Sequence, residues 1–88
     1  MTKQDLRDQI DVLDRQLLAL LKERFELCRA IKSFKETIED PERETELALL
    51  WQQEALQLGI APDFAHQLLQ YILTEAKQIQ ANDTSTIA

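Results

Sequence analysis

Cysteine, histidine and glycine occur once each in this chain of 88 residues, and proline twice. A lone Cys28 excludes an internal disulfide, and with His66 the only histidine no Cys/His cluster of metal-ligand spacing can form. Long apolar runs are missing too. None approaches the ~20 residues that span a bilayer, and the opening MTKQDLRDQ has no signal-peptide core, so a cytoplasmic protein is expected. Positive charge is in deficit, with 10 Lys and Arg against 16 Asp and Glu, a formal −6. Such a field repels phosphate backbones and anionic membranes, so neither nucleic acid nor membrane is expected as a partner. An anionic ligand would have to be held by local cations.

The scarcity of breakers organises what remains. Pro41, Gly59 and Pro62 fall in two places and divide the chain into three segments, none with useful alternation, which predicts three helices and no strand. Leu6, Ile10, Leu13, Leu17, Leu20, Arg24, Leu27, Ile31 and Phe34 advance in steps of four and three, the seam of one long helix. From Lys3 to Glu36 it would measure about 50 Å. Asp40 as N-cap, Pro41 at the first helical position and Glu42 and Glu44 in the first turn write the start of a second helix, whose inner face is expected to carry Leu47, Leu50, Trp51 and Leu58. Gly59 fits its left-handed end. Asp63 reads as the next cap, and Phe64, Leu68, Leu69, Ile72, Leu73, Ala76 and Ile79 as the stripe of a third helix ending near Gln80 to Asn82. One domain over residues 1–82 with a disordered 83–88 tail follows. So short a chain makes a marginal core, and a 50 Å apolar stripe cannot cover itself, so an all-α, intertwined homodimer is expected.

Arg24 stands where the seam asks for leucine. A buried, unpaired guanidinium costs several kcal/mol, so it needs either a protein carboxylate or a bound anion. On a continuous helix Lys35 would lie three turns further along nearly the same face, about 16 Å away, so both side chains could reach a ligand between them. Arg7 is about 25 Å from Arg24 along the same helix, too far to share a small ligand within one chain but able to serve a partner's site in an antiparallel dimer.

The run LRDQIDVLDRQLLALLKER at residues 6 to 24 and the phrase DPERE at 40 to 44 resemble the first helix and the second-helix start of AroQ-type chorismate mutases. The resemblance covers about residues 5 to 80. It implies an all-helical homodimer that converts chorismate to prephenate without cofactor or metal. It also implies site roles: Arg7 holding a substrate carboxylate in the other protomer's site, Arg24 a carboxylate in its own, Lys35 and Gln80 the ether oxygen, Arg43 the pocket wall, Glu44 the ring hydroxyl, with Asp40 near that hydroxyl. Two departures stand out, a Lys35-to-Arg43 segment shorter than the family's usual one and Ala76 where some members have serine. An isochorismate-pyruvate lyase of the same fold and a non-catalytic helical dimerisation or binding module remain alternatives.

Overall fold

The computed structural model describes residues 1–34 and 40–86, with side chains through 82. Three helices account for it: α1 (Lys3–Lys32), α2 (Pro41–Leu58) and α3 (Pro62–Thr86). No described residue lies in a strand. No helix among the described residues is long and apolar enough to cross a membrane.

Local chemistry sets the boundaries. Thr2 caps α1 reciprocally with Asp5: the Asp5 amide donates to the Thr2 hydroxyl oxygen (3.1 Å), and the Thr2 amide to the Asp5 carboxylate (2.9 Å). Asp40 caps α2, accepting from the Arg43 amide at 3.2 Å, with Pro41 just inside, as the sequence predicts. Gly59 closes α2 at φ 74°, while the Ile60 amide reaches back to the Ala55 carbonyl at 2.8 Å.

Three boundaries differ from the sequence reading. α1 stops at Lys32 and not near Glu36. Ser33 turns the chain there: its hydroxyl donates to the Ala30 carbonyl, and the Ser33 and Phe34 amides bond three residues back, tightening the last turn. α3 begins at Pro62, so Asp63 lies in the first turn and is not the cap; proline is suited to a first helical position because the amide it lacks would have no partner there. At its other end α3 continues to Thr86, beyond the expected Gln80 to Asn82, through a stretch with no glycine or proline to break it.

Packing centres on α3, which meets both other helices. Leu47 and Ala55 of α2 and Ala65, Leu69, Ile72, Leu73 and Ala76 of α3 are buried, with Trp51 packed against them. The expected inner faces of α2 and α3 are narrower than drawn: Leu50, Leu58 and Phe64 are exposed because the α2–α3 contact runs along the opposite edge of each stripe. α1 buries no residue at all. Its side toward α3 carries the half-buried Leu21, Arg24, Phe25, Cys28 and Lys32, while every apolar residue of the heptad seam is exposed, from Ile31 at 45 % to Phe34 at 88 %. The seam therefore has no cover within its own chain.

Candidate active site

Where the C-terminal half of α1, the first turns of α2 and the later turns of α3 converge, they enclose a pocket of about 270 Å³. That is near the lower end of small-molecule sites. Arg24, Leu27, Cys28 and Ile31 line it from α1. Arg43, Glu44 and Leu47 come from α2, with its cap Asp40, and Leu73, Ala76, Lys77 and Gln80 from α3.

Arg24 is a half-buried cation of this pocket. Its Nη1 lies 3.8 Å from the Cys28 sulfur, and it makes no ion pair with a carboxylate among the described residues. The described acids thus leave the guanidinium's charge open to a bound anion. Gln80, only 3 % exposed, is far from the surface residue that its place near a helix end suggests. Its side-chain Nε2 donates to the Cys28 carbonyl at 2.7 Å, and its backbone carbonyl accepts from the Lys32 ammonium, so α3 is tied to α1 at the pocket floor.

The α2 groups follow from its cap. Asp40 is committed to the Arg43 amide. Arg43 leans outward, 3.3 Å from Glu46. Glu44 turns inward instead and meets Lys77 at 2.8 Å, each side chain about one-third exposed.

Of the residues singled out in the sequence, Arg24, Asp40, Arg43, Glu44 and Gln80 come together here. Arg7 does not; it is exposed on the far half of α1. Lys35 lies outside the described residues, and because α1 ends at Lys32 the helical spacing that aligned it with Arg24 no longer applies. Lys77 escaped the sequence reading although a signal existed: with Leu73, Ala76 and Gln80 it completes an i, i+3, i+4, i+7 face, occupying a position where an apolar residue is expected.

Such an arrangement presents one guanidinium without a carboxylate partner among the described residues, a fixed amide and an inward carboxylate around a small cavity. It suits an anion that also carries a hydroxyl. The sequence matches the family model for chorismate mutase type II over residues 6–81. A T-protein of Enterobacter agglomerans is 37% identical over 75 residues, which are 81% of this chain but 20% of that protein. The chain therefore spans about one fifth of the length of that relative. From its three helices, its cationic pocket and this match over most of its length, the chain belongs to the chorismate mutase type II family.

Proposed function

We propose that this chain rearranges chorismate to prephenate in a pocket completed by a second copy of itself. The observation that carries the reading is Arg24, a seam guanidinium with no carboxylate partner among the described residues, on the wall of a cavity it shares with Glu44 and Gln80. The reaction is concerted. One C–O bond breaks as one C–C bond forms, so the protein needs no nucleophile and works by holding a conformation and stabilising charge.

In this reading Arg24 grips one substrate carboxylate by bidentate pairing, and Arg7 from the other protomer grips the second. The flexible side arm is thereby held over the ring. Glu44 accepts from the ring hydroxyl, with Asp40 nearby, and Arg43 adds positive potential at the rim. Gln80, and Lys35 from the segment between α1 and α2, face the ether oxygen, on which negative charge grows as its bond to the ring lengthens. A gain of ~10⁶ in rate requires about 8 kcal/mol, and hydrogen bonds to charged groups contribute roughly 1.5–3 kcal/mol each, so four or five donors suffice.

The need for a second copy is supported by surface area. A folded monomer of 10.2 kDa is expected to expose roughly 5,300 Å². This chain exposes 7227 Å². The excess, about 1,900 Å² per chain, is of the size that permanent homodimers bury. The exposed apolar residues of the α1 seam contribute to it.

The test is depletion of chorismate by the purified protein, with product identification and a parallel incubation with isochorismate. Prephenate formed by the wild type and reduced at least 100-fold by Arg24→Ala is the expected result. Pyruvate released from isochorismate would assign the pocket to a lyase, and no turnover of either would leave a binding module.

A further inference from the structure

Lys77 is the pocket cation to which the family resemblance gives no role. Its neighbours on the same face of α3, Leu73, Ala76 and Gln80, are all buried, and the ammonium reaches across to α2 to meet Glu44 Oε1 at 2.8 Å. Both side chains line the cavity. A glutamate has three side-chain torsions and, on a first helical turn, a choice between solvent and the helix N-terminus. An ion pair between two helices, about two-thirds shielded from water, removes that choice. A carboxylate has about four lone-pair sites, so an ammonium on Oε1 leaves Oε2 able to accept from a ligand.

We propose that Lys77 is a positioning residue: it holds the Glu44 carboxylate at the pocket wall and so makes the site select ring dicarboxylates that carry a hydroxyl over those that lack one. This rests on the reading of the pocket given above, with Glu44 as the acceptor of the ligand's ring hydroxyl. Lys77 acts through Glu44 and not by contact with the ligand. Its effect is therefore confined to the part of the ligand that Glu44 touches, which separates it from a cation that raises affinity for any dianion.

The experiment measures calorimetric Kd values for two probes, a bicyclic ether dicarboxylate bearing a ring hydroxyl and its deoxy analogue. Wild type is compared with Lys77→Met, Lys77→Gln, Lys77→Arg, Glu44→Gln and the Lys77→Met/Glu44→Gln double variant. Loss of one charged hydrogen bond predicts that Lys77→Met weakens the hydroxylated probe about tenfold, and the deoxy probe less than about twofold. Lys77→Gln should behave alike, Lys77→Arg should restore most of the selectivity, and Lys77→Met should add nothing once Glu44 is already Gln. Equal weakening of both probes, or unchanged selectivity in Lys77→Met, overturns the proposal while leaving the pocket assignment intact. A wild-type protein that binds neither probe refutes the pocket assignment itself, and the positioning role falls with it.

Discussion

Arg7 and Arg24 lie seventeen residues apart on one uninterrupted helix, which separates them by about 25 Å. If both grip one small ligand, they must come from different chains. Replacing either with alanine removes a bidentate pair of charged hydrogen bonds, each about 1.5–3 kcal/mol, so each variant alone should lose at least about 100-fold in kcat/KM. Mixing distinguishes a shared site from a private one. When equal amounts of Arg7→Ala and Arg24→Ala protein are unfolded in urea and refolded together, half of the dimers are mixed, and each mixed dimer has one complete site out of two. Activity should therefore rise from below about 1 % to about a quarter of wild type. The reciprocal mixture, wild type with the Arg7→Ala/Arg24→Ala double variant, should retain about a quarter of wild-type activity and not half, because every mixed dimer then has two broken sites. Prephenate formation followed by absorbance reads both. A refolded mixture of single variants that stays at the level of its parents would refute the two-chain geometry.

Leu17 is 54 % exposed in the single chain, where Leu17→Glu should shift stability by no more than about 0.5 kcal/mol. A covered seam instead predicts a loss of about 3 kcal/mol or more and dissociation of the dimer, measured by urea midpoint and sedimentation equilibrium. Gly59→Ala adds a Cβ that meets nothing within 4 Å, so its expected cost, about 1–2 kcal/mol, is one of backbone conformation at positive φ alone, and Gly59→Asn should cost less in the same urea titration. The Thr2 backbone amide, and secondly its hydroxyl, hold the Asp5 carboxyl below its ordinary value of 3.8. A lowered folded-state value means that the cap's stabilisation is fully present above 3.8 and is lost as pH falls through the folded value. Helical NMR shifts of residues 3 to 8 should weaken in that acidic range, and Asp5→Asn should remove most of that pH dependence.

What the sequence reveals follows the range of the interactions involved. The starts of α1 and α2 and the left-handed close of α2 depend on residues within a few positions of each other, so Asp40, Pro41 and Gly59 could be read directly. Arg24 stood out because a charge interrupted a long apolar series. The end of α1 was harder, since Ser33 is a weak stop signal and the apolar series continues formally to Phe34, which is 88 % exposed. Gln80 and Lys77 depend on partners on other helices: the Cys28 carbonyl is 52 residues from Gln80 in sequence, and Glu44 belongs to α2. No local pattern encodes such contacts. The family resemblance supplied Gln80 and Glu44; for Lys77 the charge on an otherwise apolar face was legible in sequence, but its pairing with Glu44 emerged only once α2 and α3 were placed side by side.

If a second copy covers α1, as proposed, the chain does not carry its stability as a private property. Dilution should then act as a denaturant, and the same event that loosens the helices would open the proposed site. Below the association midpoint, specific activity would fall in proportion to the amount of protein made, so expression level itself becomes a control on flux, with no effector site required.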